Sequence, residues 1–114
     1  MESNQLRKNN WISYHGLKFQ VGIIEDTYCE PIGRNEGAFD YNDCDGIKLT
    51  GAILEKSGAR YLGYAYFIGK LKFDVNTIGL VRFHYSGKVS YLRHVHDLQN
   101  LYFALMGYEL EIVL

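Results

Sequence analysis

The stretch Lys70-Leu71-Lys72-Phe73-Asp74-Val75-Asn76-Thr77-Ile78-Gly79-Leu80-Val81-Arg82-Phe83-His84-Tyr85-Ser86-Gly87-Lys88-Val89-Ser90-Tyr91-Leu92 decides the fold. Leu71, Phe73 and Val75 alternate with Lys70, Lys72 and Asp74. Successive strand side chains point to opposite faces, so one face is apolar and the other charged. Val81, Phe83 and Tyr85 repeat the pattern against Arg82 and His84, and Lys88–Leu92 is the next strand. Asn76-Thr77 and Ser86-Gly87 have turn composition. Immediately upstream, Tyr61 to Ile68 is dense in aromatics and ends at Gly69. The reading is an antiparallel meander of about four strands.

Working outward, Val95, Leu98, Leu101, Tyr102 and Leu105 recur at helical spacing and Gly107 follows as a stop. This predicts a helix over about 95–106, with a closing strand over 109–113. In the other direction, Thr50 reads as an N-cap to a two-turn helix that Gly58 ends. Trp11–Tyr14 and Leu17–Val21 flank His15-Gly16 and read as a hairpin. Residues 25–47, rich in Gly, Asp, Asn and Glu and holding the one proline, Pro31, read as a long loop with at most a short strand. The expected class is α+β: an antiparallel sheet of five to seven strands built from the N-terminal hairpin and the C-terminal meander, with two short helices. The C-terminal helix packs on the sheet, and 1–114 is expected to be a single domain.

Hydrophobic residues at 47% and charged residues at 22% place the chain among globular proteins and away from disordered ones. No apolar run approaches the roughly 20 residues that cross a bilayer. The first eight residues show no apolar stretch behind their charges, so neither a signal peptide nor a membrane contact is expected, and the expected location is the cytoplasm. Cys29 and Cys44 are then expected as free thiols, since two ligands do not make a zinc site.

Charge is unevenly spread. Residues 1–55 carry five Lys/Arg against nine Asp/Glu, residues 56–96 seven against one, and residues 97–114 none against three. The basic middle coincides with the meander. Its charged face offers Lys70, Lys72, Arg82 and His84, with Lys88 at the adjoining hairpin and Tyr64 or Tyr66 on the neighbouring strand. Cations interleaved with tyrosines hold RNA or single strands through phosphate contacts and stacking. A net charge of −1 is low for a dedicated nucleic-acid protein and fits an anionic patch on a protein partner as well.

Catalytic motifs do not emerge, and no enzyme, metal or cofactor is expected. His94-Val95-His96-Asp97, with His84, is the metal candidate and supports an alternative reading as a small metal-dependent enzyme. Against it, a helix starting near Val95 is expected to splay the two rings apart, and a helix N-terminus disfavours a cation. Asp97 is expected as a first-turn acid or N-cap. Asp40–Gly46 hints at a calcium loop, but Tyr41 and Ala52 fall where carboxylates are needed. Glu25-Asp26 reads as a solvated pair, the cysteines lack a nucleophile context, and the glycines form no phosphate loop.

The segment Val95-His96-Asp97-Leu98-Gln99-Asn100-Leu101-Tyr102-Phe103-Ala104-Leu105-Met106-Gly107-Tyr108-Glu109-Leu110-Glu111-Ile112 resembles the "YVHQLQNLYFALTGEELEI" ending of small proteins encoded by Bacteroidota, their phages and mobile elements. Leu6-Arg7 followed by Trp11, and Ile47–Thr50 with Gly58, are similar to those proteins' opening and middle helix. Met106 and Tyr108 depart from the pattern, and Gly51-Ala52 weakens the middle helix. The resemblance implies a phage or mobile-element accessory protein acting in a bacterial host's cytoplasm. It further implies a host-protein partner and inhibition of a bacterial immune nuclease, with a CRISPR effector nucleoprotein as the specific expectation; the RNA alternative rests on the basic, tyrosine-bearing strand face.

Overall fold

The computed structural model describes residues 1, 3–33 and 37–114. The chain is α+β with antiparallel sheets, as the alternation predicts, and it divides into two units, residues 1–47 and 48–114. Among the described residues each unit holds its own five-stranded sheet. The N-terminal hairpin thus belongs to a separate sheet and does not extend the meander.

In the first unit, β1 (Trp11–Tyr14) and β2 (Leu17–Ile24) form the predicted hairpin. His15 and Gly16 both have positive φ, 46° and 84°, the type I′ geometry that matches strand twist. The segment read as a loop contributes β3 (Tyr28–Pro31), β4 (Phe39–Asp40) and β5 (Cys44–Gly46), giving the order β4-β3-β2-β1-β5. These strands run two to four residues, too short to show a period. Residues 34–36 of that predicted loop lie outside the described ones. Asp40 accepts a hydrogen bond from the Asn42 amide and caps a 3-10 turn over Tyr41–Asp43, so its carboxylate has a local role. Ile12, Phe19, Val21, Cys29, Tyr41 and Cys44 form this unit's core.

The second unit opens with α1 (Gly51–Lys56), N-capped by the Thr50 hydroxyl, which accepts from the Ile53 amide. Then come β6 (Arg60–Tyr61), β7 (Tyr66–Ile68), β8 (Leu71–Val75), β9 (Val81–Tyr85) and β10 (Lys88–Leu92), paired in chain order. Ser86 and Gly87, at φ 48° and 78°, make a second type I′ turn. α2 (Val95–Met106) ends in Gly107 at φ 79°, whose amide donates to the Phe103 carbonyl. Its buried residues are Val95, His96, Leu98, Gln99 and Tyr102. The expected stripe differs at its end: Leu105 is exposed, and His96 and Gln99 take interior positions. The expected closing strand does not form. Residues 109–114 have no ladder, although Ile112 is buried and the Val113 amide donates to Ser57 Oγ at 3.0 Å.

Gly51 is explained by a neighbour. A Cβ built there would stand 2.5 Å from the Tyr66 hydroxyl, so glycine makes room where alanine has the better helix propensity. Gly51→Ala should therefore lower the thermal midpoint, against the propensity trend. Tyr66→Phe in the same chain should recover part of the loss, because it removes the crowding oxygen. A Gly51→Ala midpoint at or above the parent's would count against this packing.

Candidate functional site

Residues opposite one another in an antiparallel pair share a face. The register places Tyr61, Tyr66, Phe73, Phe83 and Ser90 in one row across the sheet of the second unit. Phe73 and Phe83 are buried with ring centroids 5.3 Å apart, so this is the inner face. The alternate row runs Arg60, Phe67, Lys72, His84, Val89, and beside it Asp74, Arg82, Tyr91. This outer face carries the unit's charged strand residues apart from Lys88.

The residues singled out from sequence separate accordingly. Lys72, Arg82 and His84 share the outer face. Tyr64, in the β6–β7 turn, joins them: its ring lies 5.6 Å from the Lys72 ammonium and meets the Phe67 edge. Tyr66 does not join them. It lies on the inner face against α1, where burial first and Glu55 second raise its hydroxyl pKa. Lys88 pairs with Tyr85, on the parity of the inner row though exposed at the sheet's end. Lys70 sits in the β7–β8 turn at the rim of a 540 Å³ cavity lined by Ile68, Leu71, Tyr102, Met106 and Tyr108. That cavity brings the end of α2 to the inner side of the sheet.

Asp74 reorganises the outer face. Both its oxygens accept from the Arg82 guanidinium at 2.7 Å, a two-pronged pair with fixed geometry. His84 Nε2 stands 2.8 Å from the same carboxylate, without the alignment of a hydrogen bond. The Arg82 hydrogen bonds first, with help from His84, hold the Asp74 carboxyl below its usual range despite partial burial. A depressed carboxyl pKa stabilises the fold above the unfolded value of about 3.9, and this is lost as pH falls through the lower folded value. Asp74→Asn should flatten the dependence of thermal midpoint on pH below about 4, with little change in its slope at neutral pH. An unaltered acid limb in that variant would contradict the pairing.

The cations left to meet a partner are Lys72 and Arg60, with the exposed Tyr64, Tyr91 and Val89 around them. Arg60, Phe67, Val89 and Tyr91 were not among the residues named from sequence. The parity of Lys88–Leu92 carried a signal for Val89 and Tyr91. Nothing in the two-residue β6 did so for Arg60.

The histidines at α2 also differ from expectation. The His94 and His96 rings are not splayed: they lie within 7° of parallel, centroids 5.2 Å apart. His94 is the N-cap with extended backbone and bridges Lys48 as a strand residue would, so the strand direction persists to Val95. Asp97 accepts from the Arg93 and His94 amides through Oδ2, the first-turn role expected of it. His84, across the sheet on Asp74, is not part of this cluster.

In the first unit Cys29 and Cys44 are buried and reduced. Burial, reinforced by neighbouring Cys44, pushes the Cys29 thiol up to about 12, which leaves it protonated and unreactive at neutral pH. Among the described residues no helix is long and apolar enough to cross a membrane. Comparison with protein-family models, curated proteins and solved structures returns no match for this chain.

Proposed function

We propose that this protein is a non-catalytic binding protein that engages an anionic surface of a partner protein through the outer face of its C-terminal sheet. The observation that carries this reading is the arrangement of Arg60, Lys72, Tyr64 and Tyr91 on one face, while α1 and the end of α2 lie on the other. Arg82 contributes as a scaffold more than as a contact, because its Nε and Nη2 donate to Asp74 and fix the guanidinium in place. Exposed tyrosines beside cations suit a polar, wet interface in which aromatic area supplies affinity and charge supplies orientation.

The resemblance of the C-terminal segment to phage and mobile-element proteins makes a bacterial immune nuclease the partner to test first, and a CRISPR effector nucleoprotein the specific candidate. RNA or single-stranded DNA is the second reading, favoured by Tyr64 standing against Lys72 as a stacking platform beside a phosphate-binding cation. Charge reversal at Arg60 and Lys72 tests the interface. A salt titration of the purified protein on an RNA oligonucleotide separates the two readings. Direct nucleic-acid binding gives an affinity that falls steeply with salt, and a weak, flat titration supports the protein partner.

A further inference from the structure

His94, His96 and Asp97 each offer a ligand atom, and these atoms lie within 4.8 Å of one another. The three side chains are prepared differently. Asp97 caps α2 through Oδ2, which leaves Oδ1, 3.8 Å from His96 Nε2, free of that duty. His96 is 3% exposed, and its Nδ1 is buried with no hydrogen-bond partner. A buried polar nitrogen left unpaired is costly, and this one belongs to a ring whose other nitrogen faces Asp97 Oδ1. His94 and Asp97 remain partly open to solvent, which gives an ion a way in.

We propose that His94, His96 and Asp97 form a binding site for a divalent transition-metal ion of the zinc class. Two imidazoles and one carboxylate suit zinc, cobalt or nickel, whereas calcium and magnesium prefer all-oxygen shells. Ligands about 2.1 Å from a tetrahedral ion stand about 3.4 Å apart, so the 4.8 Å spread must close by an ångström or more. The half-exposed His94 ring is free to make that movement. The helix N-terminus opposes a cation, and the Asp97 carboxylate offsets that field at the same spot. Lys48, bridged to His94 through the backbone, sends its ammonium toward Gly79. Three protein ligands leave one position for water or for a donor atom brought by a partner.

The test uses the full chain, stripped with a chelator and titrated with zinc by calorimetry, and with cobalt by visible absorption. The expected result is one ion per chain, a cobalt spectrum with nitrogen ligation, and a thermal midpoint that rises with zinc. His94→Ala, at a partly exposed position, should fold normally and bind at least about tenfold more weakly. His96→Gln, which keeps a polar side chain at the buried position, should do the same, and His15→Ala should bind as the parent does. Absence of saturable uptake overturns the proposal. So does uptake that survives both His94→Ala and His96→Gln, or that is lost in His15→Ala. Partner binding is measured separately, so failure here leaves the sheet-face reading standing.

Discussion

Phe73→Ala should remove a large part of the stability of the C-terminal unit. Phe73 is fully buried at the centre of the inner row, between Tyr66 and Phe83, with the Phe83 ring 5.3 Å away. Truncating a buried phenylalanine removes its transfer free energy and leaves a cavity that neighbours only partly fill, together about 3–5 kcal/mol. Native domains are stable by only about 5–15 kcal/mol, so this single change removes a large fraction of the margin. Equilibrium urea unfolding should show the midpoint falling by more than about 1 M. Tyr85→Ala is the matched control, since Tyr85 follows the same alternation but is 62% exposed at the strand end. It should shift stability by less than about 0.5 kcal/mol. Near-equal effects of the two would mean that Phe73 is not the buried centre of the inner row.

The second large effect concerns binding. Arg60→Glu with Lys72→Glu should weaken partner binding by about 100-fold or more while the fold is kept. Like charges brought together across an interface cost several kcal/mol, and about 2.7 kcal/mol is a factor of 100. Arg60 is exposed and Lys72 half-buried, with its ammonium by the Tyr64 ring, so neither reversal removes a core contact. Arg82 is unsuitable for this purpose. A glutamate there would face Asp74 directly across the strand pair, and a loss of binding would then be confounded with a loss of folding. Calorimetry of parent and variant against the same purified partner, with melting curves of both, reads the two effects separately. Parent-like affinity in the double variant would remove the sheet face as the binding surface.

How much of this was legible in the sequence depends on element length and on register. β8, β9 and β10 run five residues each, long enough for alternation to show, and two-residue turns at His15-Gly16 and Ser86-Gly87 declare type I′ geometry. The Val95–Met106 helix and its Gly107 stop follow from spacing and from glycine's access to positive φ. What sequence left out is pairing over distance. Asp74 and Arg82 face each other because the turn over residues 76–80 sets that register, and without the register Arg82 reads as a free cation. Tyr66 faces α1 because it pairs with Phe73, a fact absent from its own strand. β3, β4 and β5 were read as loop because two to four residues cannot display a period of two. The parallel His94 and His96 rings depart from the expectation although α2 begins at Val95 as read, because the N-cap His94 keeps a strand-like backbone.

The proposed partner surface is the outer face of the C-terminal sheet. Tyr64 and Tyr108, 68% and 56% exposed, allow a direct test, because Tyr64 stands on that face and Tyr108 borders the cavity at the end of α2. A photoreactive phenylalanine derivative is placed at one position or the other, the protein is irradiated in host lysate, and adducts are identified by mass spectrometry. The expected result is a specific cross-link to one host protein from position 64 and none from position 108. A cross-link from position 108 with none from position 64 would contradict binding through that face.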